Sequence, residues 1–221
     1  MKEGYVFQCD KCPGVFCQEG RFERDRLPDF CPMKTAGEVM QEALKEYASD
    51  DVKPLYVSAA ITEKESYEVV GGKIIPVRPR IRELVEFAKK IGLKKIGVAF
   101  CGGLSDEASR VADVLRHFNF KVYSVRCKCG GLDKSKLEVP EEYKISMAGG
   151  FEAACNPIAQ ALLLNSVKTD LNVIVGLCVG HDILFTKYSK APITTLIVKD
   201  RYTGHNPLIA LYSRYHRAFL M

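Results

Sequence analysis

The spacing of apolar positions changes character along the chain. In "AGEVMQEALKEYA", Ala36 to Ala48, apolar residues recur at three-and-four spacing and put Val39, Met40, Ala43, Leu44 and Tyr47 on one face of a predicted helix. "SAAITEKESYEV" extends this with a second helix, Gly71 and Gly72 make a turn, and Pro76 and Pro79 lead into a third helix from Ile81 to Lys90. Leu84, Val85, Phe87 and Ala88 are its inward residues. Strands and helices then alternate. "KKIGVAF", ending at Phe100, is a strand, and "SDEASRVADVLRHF" a helix with Ser105 as N-cap and Asp106 and Glu107 in its first turn. "KVYSVRC" is a second strand. After a polar insertion from Gly130 to Lys144, "CNPIAQALLLNSV" reads as a helix with Pro157 near its start. "LNVIVGL" is a third strand, "HDILFTKYS" a short helix and "APITTLIVK" a fourth strand, while "NPLIALYSRYHRAFL" has the spacing of a helix packed on the sheet.

Four β-branched strands separated by helices predict an α/β fold: a mostly parallel sheet of about four or more strands with helices on both faces. This α/β domain is expected over 37-221, after a small cysteine-rich segment at 1-36. Sites in such sheets form beyond the carboxyl ends of the strands.

The chain has 221 residues, 47% hydrophobic and 27% charged, as an ordinary globular protein does. Thirty-two basic against 27 acidic residues leave +5, below the charge expected of a nucleic-acid domain. The basic run from Arg78 to Lys95 is interleaved with Glu83 and Glu86, so a solvated helix face explains it. No apolar run nears the roughly 18 residues of a membrane span. The start "MKEGYVFQCDKC" lacks the features of a signal peptide, which predicts a cytoplasmic protein.

Nine cysteines matter more in that setting, because a reducing compartment disfavours disulfides and leaves metal binding and thiolate chemistry. Cys9, Cys12, Cys17 and Cys31 form a C-x2-C-x4-C-x13-C pattern whose first pair can chelate one ion, with two further thiols to complete a set. The spacing suits zinc and iron-sulfur alike. Cys101, Cys127 and Cys178 each end a predicted strand, and parallel strands bring their ends to one edge. Cys155 stands before a helix, where backbone N–H groups would lower its pKa. Three or four gathered thiolates are what a soft metal or an iron-sulfur cluster requires. Against this, cysteine is a small residue that often merely lines a core. "FCGGL" and "KCGGL" let backbone approach a ligand closely, yet neither is a nucleotide-binding loop, so no nucleotide cofactor is indicated.

"GLCVG" fits the cysteine form of a nucleophile elbow, and "GLCVGHDIL" resembles the nucleophile turn of class I glutamine amidotransferases. On that reading Cys178 is the nucleophile and His205 its base, with His181 and Asp182 as further acid/base candidates. The likeness ends at about ten residues, because His205 is followed by Asn206 and Pro207 rather than by the His-x-Glu of that family.

A longer resemblance covers nearly the whole chain. "CPM" at Cys31, "FCGGLSDEA", "RCKCG", "FEAACNPIAQALLLN", "LNVIVGLCVGHDILF" and "APITTLIVKDRYTGHNP" resemble an uncharacterised family of predicted metal-binding proteins from archaea and anaerobic bacteria. The resemblance implies metal binding through the cysteines and carries no reaction. Its motifs fall on Cys9, Cys12, Cys17, Cys31, Cys101, Cys127, Cys155 and Cys178. Asn156, His181, Asp182, Lys199, Asp200, His205 and Asn206 flank them, and Cys129 stays open as a rival of Cys127.

The sequence therefore predicts a cytosolic protein with two thiolate-rich sites for zinc or an iron-sulfur cluster of the 4Fe-4S type. The first set is Cys9, Cys12, Cys17 and Cys31, and the second Cys101, Cys127, Cys155 and Cys178. A small-molecule substrate and a redox partner fit this picture; nucleic acid and membrane do not. A Cys178 hydrolase or transferase and a non-enzymatic metal carrier or sensor are the alternatives.

Overall fold

The computed structural model describes residues 6–14, 16–20, 23–146, 149–218 and 220. Two compact units divide the chain, Met1–Ile61 and Thr62–Met221.

In the first unit, two single-turn helices, α1 (Phe16–Glu19) and α2 (Pro32–Thr35), precede α3 (Gly37–Tyr47). Its buried residues among those described are Leu27, Cys31 and Ala36. Cys31 is fixed by the turn that α2 makes, its carbonyl accepting the Thr35 hydroxyl at 3.1 Å. The predicted apolar face of α3 is largely exposed, Val39, Leu44 and Tyr47 included. Helix α4 (Val52–Glu65) begins six residues before the expected Ser58, because Pro54 fits a first turn, where no N–H is needed. It also ends earlier. Tyr67–Val70 is strand β1, paired antiparallel with β2 (Lys73–Pro76), where helix had been expected through Val69. Gly71 and Gly72, at φ 58° and 77°, supply the double left-handed turn that a two-residue hairpin demands.

The second unit, to which this hairpin belongs, is built on a four-stranded parallel sheet. In chain order α5 (Arg80–Lys90), β3 (Lys95–Phe100), α6 (Ser105–His117), β4 (Lys121–Arg126), α7 (Pro157–Ser166), β5 (Leu171–Val175), α8 (His181–Tyr188) and β6 (Ile193–Ile197) follow one another. The spatial order is β4-β3-β5-β6, all parallel. Alternate residues of the central strands face opposite layers, as the two-residue period requires. Ile96, Val98, Leu171, Val173 and Val175 pack with α5 and α6, while Ala99 and Ile174 pack with α7 and α8. The expected α/β class, parallel sheet and surrounding helices are all present.

The order has a consequence for function. From β3 the chain moves one way to β4, then crosses back to β5 on the other side of β3. Strands β3 and β5 therefore flank the topological switch point, where open α/β sheets form a crevice.

Two local expectations change. Leu104, not Ser105, is the N-cap residue of α6, and the Ser105 hydroxyl instead donates to Gly102 O at 2.8 Å. The C-terminal stretch is two short helices, α9 (Leu208–Tyr212) and α10 (Arg214–Arg217), separated at Ser213 by an extended ψ of 124°. Leu208, Leu211, Tyr212 and Tyr215 are exposed, so no single helix packs on the sheet there. Among the described residues no helix is long and apolar enough to cross a membrane.

Candidate functional site

The hydrogen-bond ladder of the sheet continues past the strands into the thiol-bearing residues. Cys127 N donates to Phe100 O at 2.9 Å, Cys101 N to Val175 O at 3.1 Å, and Gly176 N to Ile197 O at 2.8 Å. Cys101 and Cys127 thus sit on a scaffold as regular as the strands themselves. Cys155 arrives by another route. The polar insertion doubles back through an antiparallel bridge between Asp133 and Ala153, and Asn156 N donates to Cys127 O at 2.6 Å. Lys144, its side chain 3% exposed, closes the insertion by ion pairs to Glu141 (2.7 Å) and Asp133 (3.3 Å) and a hydrogen bond to Gly150 O (2.8 Å).

These routes converge on Cys127, which is buried. The Cys155 thiol donates to its Sγ at 3.8 Å and the Gly102 N–H at 3.2 Å, and the Cys101 side chain also hydrogen-bonds to it. Donors gathered around one sulfur stabilise its anion. The Cys155 thiol above all, then the Gly102 N–H, the Cys101 side chain and the Lys128 charge, pull the Cys127 pKa from 9.0 to about 5 against the opposing effect of burial. Cys155 is correspondingly pushed up, first by its hydrogen bond to Cys127, then by burial and the nearby charges of Cys127 and Cys178. The lowering expected at Cys155 from the helix start is therefore reversed. Asn156 is the N-cap of α7, its Oδ1 accepting the Ala159 N–H at 3.0 Å, which leaves Cys155 outside the helix. Cys129 belongs to a different environment. Its thiol points at Asn156 O at 4.0 Å, and burial with the Cys127 charge raises its pKa.

Cys178 follows β5 on a turn whose two left-handed residues are Gly176 (φ 68°) and Gly180 (φ 87°). A methyl group at Gly176 would come within 2.5 Å of Leu104 Cδ1, so the turn demands glycine there twice over. A nucleophile elbow places its strain at the nucleophile, whereas here the left-handed backbone falls on Gly176 and Gly180, and α8 starts three residues after Cys178. The Cys178 sulfur accepts from Arg201 Nη2 at 2.9 Å. His205 is held in its own loop: its N–H donates to Asp200 O at 2.7 Å, and its Nδ1 accepts the Asp200 N–H at 3.1 Å. Among the described residues Cys178 and His205 share no hydrogen bond. His181 and Asp182 open α8, with Asp182 Oδ1 accepting the Ile183 N–H at 2.8 Å.

The N-terminal thiols also meet. Cys9, Cys12, Cys17 and Cys31 line one cavity of about 220 Å³, together with Phe16 and Phe30. Cys12 Sγ donates to Gly14 O at 3.3 Å. At neither place are the side chains closed into a finished cage: among the described residues no three His, Cys, Asp or Glu groups stand close enough to hold one metal ion.

Two participants were missed in the sequence. Arg201 was overlooked because a long side chain's reach leaves no periodic trace. Gln160, fully buried, bridges the strand ends by donating from Nε2 to Val125 O (2.6 Å) and Phe100 O (3.3 Å). It could have been noticed as a lone amide on the buried face of "NPIAQALLLN".

Residues 31–196 match the family model described as "Protein of unknown function (DUF1847)". A protein of Methanocaldococcus jannaschii, "Uncharacterized protein MJ0455", is 41% identical over 209 residues, which cover 95% of each chain.

Proposed function

Because the chain belongs to the DUF1847 family, whose description assigns no reaction, we propose a function from its own thiols: it is a metal-binding protein with two thiolate-rich sites. The observation that carries this reading is the Cys127 sulfur, on which the Cys155 thiol, the Gly102 N–H and the Cys101 side chain converge as donors. Soft metals bind the thiolate, and a site that ionises one sulfur in advance is prepared for them. Cys101, Cys127, Cys155 and Cys178 would hold the group at the sheet edge, and Cys9, Cys12, Cys17 and Cys31 the other. The bound group would supply electron transfer or Lewis acidity toward a small molecule in the switch-point crevice.

At the N-terminal set we propose an iron-sulfur cluster, held by the four cysteines that line one cavity there. Protein purified without oxygen should contain iron with matching sulfide and absorb visible light. A colourless, metal-free protein whose stability ignores a chelator would overturn the reading. Competition with a chromogenic chelator separates a resident metal from the cargo of a carrier or sensor.

A second reading rests on the Arg201 contact. The guanidinium beside Cys178 puts a cationic donor on its sulfur, in the place where His205 was expected to act. If Cys178 is a nucleophile, a thiol-alkylating reagent should label it well ahead of Cys101, Cys129 and Cys155, and Arg201→Ala should remove that advantage. Even labelling across these thiols rejects this reading.

A further inference from the structure

The switch point between β3 and β5 carries a second chemical feature that the thiols do not use. Cys101 is followed by Gly102 and Gly103, directly after β3. Two cations lie against these glycines from opposite directions. Arg126, at the end of β4, donates from Nη2 to Gly102 O at 3.3 Å, and a methyl group at Gly102 would come within 2.8 Å of its Nε. Lys199, beyond β6, reaches across the end of β5, and a methyl group at Gly103 would lie 3.3 Å from its Nζ. Neither glycine has a left-handed backbone, so what a side chain at either would meet is the end of a cationic side chain.

Arg126 and Lys199 form no ion pair with a carboxylate among the described residues. Nor do they serve the thiols, because Arg201 meets Cys178 and the Gly102 N–H meets Cys127. Two cations without carboxylate partners, brought against consecutive glycines next to Cys101, have the chemistry of an oxyanion seat.

We infer that Gly102, Gly103, Arg126 and Lys199 seat the oxyanion of a small-molecule substrate, a phosphate or carboxylate, and hold its remaining part over Cys101 and Cys178. The inference rests on the reading of the sheet edge as the working site. Arg126 supplies a planar donor and Lys199 a mobile point charge. A substitution at Gly103 crowds the Lys199 ammonium without touching a thiol.

The test titrates the purified full chain with inorganic phosphate, and separately with acetate, by calorimetry at fixed ionic strength. Metal and sulfide are measured in the same samples. Saturable binding of one probe is expected, weakened at least about tenfold in Lys199→Gln and in Gly103→Val, with metal content unchanged. Preference for phosphate or acetate identifies which oxyanion the seat takes. Absence of saturable binding by both probes overturns the inference, whatever the metal content. So does Lys199→Gln that keeps full affinity, or that loses metal in step with binding, since the lysine would then be balancing thiolate charge. Metal-free wild-type protein that still binds a probe upholds the seat and removes the metal reading.

Discussion

Cys127→Ser is expected to empty the sheet-edge site of metal, whereas Cys129→Ser leaves it loaded. Sequence alone could not choose between these two, because both follow β4 within three residues. The choice here rests on the surroundings of each sulfur: Cys127 lies where three donors point, and Cys129 is turned toward a carbonyl. Serine keeps the size of the side chain and loses the thiolate. The metal content of anaerobically purified variants decides the matter, and equal retention in both would reject Cys127 as the anchoring ligand.

The same substitution carries a pH signature in metal-free protein. Cys127 titrates near 5 in the folded chain against 9.0 for the unperturbed thiol, so between those values the folded state binds one proton fewer than the unfolded. Stability from this group is fully present above pH 9 and is lost as pH falls through 5. Cys155, raised by its neighbour, works in the opposite sense above pH 9, where the folded chain keeps a proton that the unfolded chain releases. Denaturation midpoints across this range should therefore rise toward pH 9 and then decline. Cys127→Ser should flatten the rise.

The largest loss of stability is expected at Gly97, in the middle of β3. A methyl group there would stand 2.1 Å from Asn172 Oδ1 and 2.8 Å from Leu164 Cδ1. Asn172 cannot step aside without breaking a buried chain of hydrogen bonds, in which Thr169 Oγ1 donates to its Oδ1 and its Nδ2 donates to Ser189 Oγ, each at 2.8 Å. Overpacking and the broken network together should cost Gly97→Ala about 3 kcal/mol or more. In a unit of this size that lowers the melting temperature by roughly 6–12 °C. Gly37→Ala, at an open position at the start of α3, is the control and should change little. A melting temperature for Gly97→Ala matching that control would show that the sheet absorbs the methyl group.

The central strands were legible because each is a short, continuous β-branched run bounded by turn residues, and their parallel arrangement followed from the helices between them. The hairpin was hidden for a specific reason. The helical period of α4 runs on past Glu65 into "SYEV", although two apolar runs separated by Gly71 and Gly72 are the mark of a two-residue turn. At the site, the placement of Cys101, Cys127 and Cys178 after three neighbouring strands could be read from topology, since strand ends share an edge. The partners of each sulfur could not. Whether Cys178 meets Arg201 or His205 depends on loop paths after β6, and whether Cys127 or Cys155 gives up its proton depends on where the Gly102 N–H points.

The two thiol groups differ in how far apart their members lie along the chain. Cys9 through Cys31 occupy one short stretch, so closing them on an ion costs little loop entropy and can happen while synthesis continues. The sheet-edge thiols come from β3, β4, the Lys144-locked insertion and the turn after β5. They become neighbours only once the crossover back past β3 is complete. On the proposed metal-binding reading, loading would be ordered in time: the N-terminal group would help the nascent chain to fold, and the sheet-edge group would be filled only in a chain that has finished folding.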